Sequence, residues 1–139
     1  MRLFIDTNVF FDFVLKRPRF HQQAQKIFNL GNFTTVELAT NPNNFPHAFF
    51  EKRKDVGEQQ AKAYFRSLRK IITCVPFDDK IVDKALASNF PPDLEDGVNL
   101  QLAQAFFAHF IITRDRKGSF KQSTIPVYSP SEFMDAFPR

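Results

Sequence analysis

The stretch Arg2-Leu3-Phe4-Ile5-Asp6-Thr7-Asn8 decides the fold class. Leu3-Phe4-Ile5 is a short apolar run that stops at a polar turn, so it predicts a buried strand with a carboxylate at its C-terminal end. Outward from it, helix-like and strand-like segments alternate. Residues 9–15 read as a helix whose apolar pattern Asp12 interrupts and which Arg17-Pro18 stops. Residues 20–30 read as a second helix, with Gly31-Asn32 as its exit signal. Residues 33–38 are rich in Thr and Val and predict a strand. Asn41-Pro42-Asn43-Asn44 leads into a helix over residues 45–53, with Pro46 in its first turn. Gly57 breaks the chain before a helix over residues 58–69. Residues 71–77 predict a strand that Pro76 ends, and residues 78–88 a helix capped by Asp78. A densely apolar helix follows over residues 96–108, then a buried strand over 110–113 that ends in Arg114-Asp115. The last strand, residues 125–128, contains Pro126, which suits a sheet edge, and residues 130–137 close the chain as a helix.

This alternation predicts an α/β fold with a mostly parallel sheet covered by helices on both faces. The 139 residues are expected to form one domain, long enough for one substantial core. In such sheets ligands bind at the carboxyl ends of the strands. Two of the inferred strands end in an acid, Asp6 and Asp115. A third acidic group, Asp93-x-Glu95-Asp96, stands where the longest apolar helix begins. The three groups are expected to meet at one edge of the sheet.

Each acid has a purely structural explanation. Asp6 suits an Asx-turn after a strand, Asp93 and Asp96 suit the first turn of a helix, and Asp115 suits the turn Arg114-Asp115-Arg116-Lys117. Gathered at one site, however, the carboxylates would repel one another and raise their own pKa values, a cost that a bound cation removes. Oxygen-only ligation points to Mg²⁺ or Mn²⁺. Zinc would want paired cysteines or closely spaced histidines, and His21, His47 and His109 are isolated in sequence, so they read as structural or surface groups.

Composition narrows the rest. Hydrophobic residues make up 43% and charged residues 24%, which excludes a disordered chain. The 19 Phe, with two Tyr and no Trp, read first as core, since Phe is among the most buried residue types. A net charge of +4 is compatible with a polyanionic partner. The runs Glu51-Lys52-Arg53-Lys54 and Arg66-Ser67-Leu68-Arg69-Lys70 read as solvated helix faces. The one cysteine, Cys74, excludes an intrachain disulfide and sits in an apolar run, as a buried structural thiol would. No signal-peptide pattern opens the sequence and no run reaches membrane-spanning length, so a cytosolic protein without membrane partners is expected.

The same acidic motifs carry a family resemblance. Arg2-Leu3-Phe4-Ile5-Asp6-Thr7-Asn8-Val9 resembles the opening of a PIN domain, in which a strand ends in an Asp-Thr/Ser-Asn turn. Asp93-Leu94-Glu95-Asp96 resembles the start of the helix carrying that family's third acid, and Ile111-Ile112-Thr113-Arg114-Asp115 the strand and fourth acid. Pro126-Val127-Tyr128-Ser129-Pro130-Ser131-Glu132-Phe133 resembles the final strand and a Pro-initiated helix. The resemblance implies a three-layer α/β/α sandwich and a Mg²⁺- or Mn²⁺-dependent ribonuclease in which a metal-activated water attacks RNA phosphodiester bonds. Asp6, Asp96 and Asp115 match the family's metal ligands. Glu95 is a further catalytic candidate, as ligand or as base for the water. Thr7, Asn8 and Thr113 match groups that orient the carboxylates. As partners the resemblance implies an RNA substrate, the antitoxin of a toxin–antitoxin pair, and a second copy in a homodimer.

The sequence departs from that pattern at three places. The family's second acid lies on the helix after the second strand, where this chain has Asn41-Pro42-Asn43-Asn44-Phe45-Pro46-His47 and the nearest acid is Glu37. Gly118-Ser119 stands where an acid often precedes the Phe of the fourth-acid loop. Gly97, following Asp96, costs about 1 kcal/mol of helix stability relative to Ala. The alternative to an enzyme is therefore a weak or inactive PIN module that binds RNA or a protein partner. A receiver domain would want an acidic pair after the first strand, and a haloacid-type phosphatase an Asp-x-Asp. Asp6-Thr7-Asn8 offers neither.

Overall fold

The computed structural model describes residues 1–115, 118 and 120–138. Among them, five strands form one parallel sheet in the order β3-β2-β1-β4-β5. The strands are β1 (Arg2–Ile5), β2 (Glu37–Thr40), β3 (Ile72–Cys74), β4 (Phe110–Ile112) and β5 (Val127–Tyr128). The helices are α1 (Thr7–Val14), α2 (His21–Asn29), α3 (Asn44–Val56), α4 (Glu58–Leu68), α5 (Asp79–Ala87), α6 (Leu94–Ala105) and α7 (Pro130–Ala136). This is the three-layer α/β/α architecture expected from the sequence.

The strand period of two divides the core in half. Leu3, Ile5, Leu38, Ile72 and Ile112 point to one face, where Phe10, Ile27, Phe28, Phe65 and Phe133 of α1, α2, α4 and α7 meet them. Phe4, Ala39 and Ile111 point to the other, against Ile81 and Ala85 of α5 and Val98, Leu102 and Ala103 of α6. Strands buried on both faces read as continuous apolar runs, as Leu3-Phe4-Ile5 does. Of the 19 Phe, six lie in these two cores and eight more pack against them, so the Phe excess is largely core composition.

Several boundaries move. The second strand is Glu37–Thr40 and not residues 33–38, because Leu38-Ala39-Thr40 is the stretch that pairs with β1, while Phe33 is left exposed. The third strand ends at Cys74, two residues before Pro76. Helix α6 starts at Leu94 because Asp93 caps it, its carboxylate accepting from the Asp96 N–H at 3.1 Å. Pro46 lies in the first turn of α3, as expected, and that helix runs on to Val56, where Gly57 at φ 87 allows the sharp turn into α4. Strand β5 spans only Val127–Tyr128, on the sheet edge, with Pro126 just before it.

The basic run on α3 is not uniformly solvated. Lys52 is 8% exposed and its Nζ donates to the Val14 carbonyl at 3.0 Å over the Tyr64 ring. Burial lowers its pKa. Cys74 is half-buried, and burial raises its thiol pKa, which suits an inert group. Among the described residues no helix is long and apolar enough to cross a membrane.

Candidate active site

Asp6 leaves β1 directly into α1. Its N–H donates to the Ile112 carbonyl at 2.9 Å, so β1 and β4 stay paired to the point where the chain turns away. The side chain is 5% exposed. Such a buried carboxylate needs donors, and it has them. Thr113 Oγ1 donates to Oδ2 at 2.7 Å, and Asn99 Nδ2 donates to Oδ1 at 2.7 Å.

The direction of both bonds is forced by what surrounds them. Thr113 Oγ1 accepts from Asn8 Nδ2 at 3.3 Å and from the Asp115 N–H at 3.2 Å, which occupies both lone pairs and aims its proton at Asp6. Asn99 Oδ1 accepts from Asn41 Nδ2 at 2.9 Å, so its amide nitrogen must face Asp6, where it also reaches Thr7 Oγ1 at 3.1 Å. Thr7 in turn donates to Asn44 Oδ1 at 3.1 Å, and Asn44 Nδ2 donates to Thr40 Oγ1 at 2.9 Å. Even so, burial outweighs these donors: it pushes the Asp6 carboxyl from 3.8 up to about 6, with the charge of Asp96 adding to the rise.

Asp96 thus stands within electrostatic reach of Asp6, in the first turn of α6, where the helix dipole favours a negative charge. Glu95 is exposed beside it and lines a cleft with Asn41, Asn44 and His47. Asp115 lies three residues past the end of β4, on the same carboxyl edge as Asp6. Its carboxylate is exposed and turned to the Gly118 N–H at 3.0 Å, the turn-capping contact that its sequence context suggested. A side chain at position 118 would meet Asp115 Oδ2 at 2.8 Å, so the exposed carboxylate would have to move aside for it. Arg116, Lys117 and Ser119 fall outside the described residues. Among the described residues, no three acidic, histidine or cysteine side chains stand close enough to enclose an ion. Asp6 and Asp96 are therefore the acids whose electrostatic coupling is evident, and Asp115 faces elsewhere.

The histidines have structural contacts. His109 Nδ1 accepts from the Arg2 N–H at 2.9 Å, and His21 stacks on Phe13. Glu37 sits at the opposite end of its strand from the site, paired with Arg2 at 3.8 Å.

A PIN-domain profile matches residues 2–117. The chain belongs to the PIN domain family. Solved structures with the same fold include VapBC2 from Rickettsia felis bound to a promoter DNA fragment, at TM-score 0.64 and 14% identity, covering 93% of this chain and 98% of that one. A toxin–antitoxin complex from Klebsiella pneumoniae is similar at TM-score 0.67 and 18% identity, covering 92% and 97%. VapBC-1 from nontypeable Haemophilus influenzae is similar at TM-score 0.66 and 14% identity, covering 94% and 99%. These likenesses are of fold. No curated protein matches the chain in sequence.

Where the sequence resemblance implies a second acid, this PIN domain has amides. Asn44 opens α3 and accepts from Thr7, an acceptor's role that a carboxylate would also fill. Asn41 and Asn99 were not singled out by sequence reasoning. Position along the chain was the signal for Asn99, which lies one turn beyond Asp96 on α6, whereas Asn41 follows Thr40, whose register with Ile5 only the folded sheet sets. Asp12, read as an interruption of α1, is 1% exposed and bound by Arg114, whose Nε reaches Oδ2 at 2.6 Å.

Proposed function

We propose that this PIN domain is a Mg²⁺- or Mn²⁺-dependent endoribonuclease that hydrolyses RNA phosphodiester bonds. Asp6, Asp96 and Asp115 would hold the cation, and Glu95 would serve beside them as ligand or base. The observation that carries the reading is the buried Asp6 carboxylate, held by two obligate donors yet pushed up to about 6 with Asp96 nearby. The fold spends stability to keep an acid there, and a hard cation is the partner that repays it.

The Asp6 carboxylate has room for such an ion. A carboxylate has about four lone-pair sites. Asn99, Thr113 and the Thr7 N–H take three of them on Asp6, which leaves acceptor capacity for the cation. When bound, the cation would supply positive charge to the phosphoryl oxygens and acidify a water. The chain's own groups do the rest. Asn99 and Thr113 fix the plane of the Asp6 carboxylate, and the first turn of α6 presents Asp96 to it. Glu95 is exposed to solvent, as a group that takes a proton from water would have to be.

The similarity in fold to toxin–antitoxin complexes supports a toxin role. The partners would then be an antitoxin protein and a second copy of the chain, and the location cytoplasmic. The test is cleavage of single-stranded RNA in Mg²⁺ or Mn²⁺, with and without EDTA, by wild type and Asp96→Asn from the same purification. Cleavage by wild type alone, abolished by EDTA, is expected. Equal cleavage by both proteins would mean a contaminating nuclease. The amide at position 44 favours a second reading, a weak or inactive module that binds RNA or a protein. Absence of cleavage across several RNAs and both metals would move the assignment there.

A further inference from the structure

Resting on the nuclease reading above, we propose that the cavity beside Arg114 is a subsite for a backbone phosphate of the RNA strand. The cavity measures about 300 Å³ and is walled by Asp12, Phe20, Gln23, Arg114, Ser129 and Ser131. Arg114 directly precedes Asp115 and Ser129 directly follows β5, so part of the cavity wall comes from the strand-exit edge on which Asp6 lies.

A cluster of charges stands at its wall. Asp12 carries one negative charge and meets two guanidinium groups, Arg114 at 2.6 Å and Arg17 at 3.4 Å. Arg114 and Asp12 balance on the cavity wall, and Arg17, which does not line it, leaves the cluster of three charges one positive in excess. Arg114 is also pre-oriented. Its Nε and Nη2 are spent on Asp12, at 2.6 and 3.3 Å, and the Phe20 ring lies 3.9 Å from its guanidinium carbon. Its Nη1 makes no hydrogen bond among the described residues. A guanidinium placed over a ring, with donors to spare, suits a phosphate oxygen. Ser129 Oγ accepts from the Glu132 N–H at 3.2 Å and keeps its own proton to donate, while Ser131 adds an exposed hydroxyl. The Glu132 carboxylate folds back onto the Ser129 N–H and does not line the cavity. A polyanion approaching Asp6 and Asp96 is repelled by them, and a cationic contact a few residues away offsets that repulsion.

The test is binding of a short 2′-O-methyl oligoribonucleotide, which resists cleavage, in EDTA over a series of salt concentrations. Arg114→Ala would leave Asp12 short of its main partner, so the informative variant is Ser131→Asp, which puts a negative charge in the cavity at a helix turn that favours acids. Gln59→Glu, in the first turn of α4, is the control for net charge. Ser131→Asp is expected to weaken binding by roughly tenfold and to reduce the salt slope by about 1, with Gln59→Glu near wild type. Equal affinities for the two variants, or no RNA binding by wild type, would overturn the subsite. Cleaving activity is a separate readout: normal cleavage with no loss of binding in Ser131→Asp sinks the subsite alone, and cavity-dependent binding without cleavage sinks the enzyme alone.

Discussion

Asn99 Nδ2 stands 2.7 Å from Asp6 Oδ1, and Asn41 decides which end of that amide faces the acid. Replacing Asn99 by Leu would strip a buried carboxylate of one donor and leave the Asn41 amide unpaired. The expected loss is about 2 kcal/mol of stability in urea at neutral pH without metal. Asn99→Asp keeps the acceptor for Asn41 but sets a second charge against Asp6. That variant should be the less stable of the two above pH 6 and should recover with Mn²⁺. Its indifference to Mn²⁺ would separate Asn99 from the cation site.

The Asp6 carboxyl makes metal-free stability fall as pH rises. It protonates near 6 in the folded chain and near 3.8 when exposed, so between these values the folded state binds the extra proton. Its favourable contribution is complete below about pH 4 and lost above about pH 6. The 3.8-to-6 difference corresponds to about 3 kcal/mol. Unfolding of wild type and Asp6→Asn in EDTA, at pH 4.5 and pH 7, measures it. Wild type should lose more than the variant on going to pH 7, and identical pH slopes would sink the assignment.

Cation binding should run the other way. Mn²⁺ competes with the Asp6 proton, so affinity should rise through pH 6 and level off above it. Asp6→Asn and Asp96→Asn should each remove most of the heat of Mn²⁺ binding in calorimetry. Unchanged affinity in either would remove that residue from the ligand set. Asp115→Asn tests whether the third acid, which faces Gly118, turns to the ion.

Gly97 should be replaceable. A Cβ there would meet Ala85 Cβ at 3.6 Å, ordinary contact, and the backbone is helical. Gly97→Ala should stabilise α6 by about 1 kcal/mol and leave Mn²⁺ affinity intact. A drop in melting temperature would show that the packing of α5 on α6 has no room for a methyl group.

Gly118→Ala should do the opposite. Its Cβ would lie 2.8 Å from Asp115 Oδ2, so the carboxylate must swing away and lose the Gly118 N–H. Cation affinity should change more than stability, because Asp115 is exposed. An unaltered Mn²⁺ isotherm would place Asp115 outside the ion's reach.

Local pattern alone determined the layer order and the edge at which the acids stand. Leu3-Phe4-Ile5 and Phe110-Ile111-Ile112 are apolar at every position because both faces of a central parallel strand are covered, and that is visible in a single run of residues. A carboxylate after such a run, as at Asp6, can lie only at the strand exit. Tertiary structure decided the rest. Residues 33–36 have strand-like composition, yet the strand forms at Glu37–Thr40, because pairing with β1 fixes which residues are in register. Lys52 and Asp12 are charged and read as surface and interruption, but each finds a partner from a distant segment, the Val14 carbonyl and Arg114. The family resemblance names Thr113 as a group that orients the acids, whereas Asn99, whose amide donates to Asp6 across 93 residues, is found only in the folded chain. Burial of a polar group is tolerable only where such partners converge, and convergence is a property of the folded chain rather than of any stretch of its sequence.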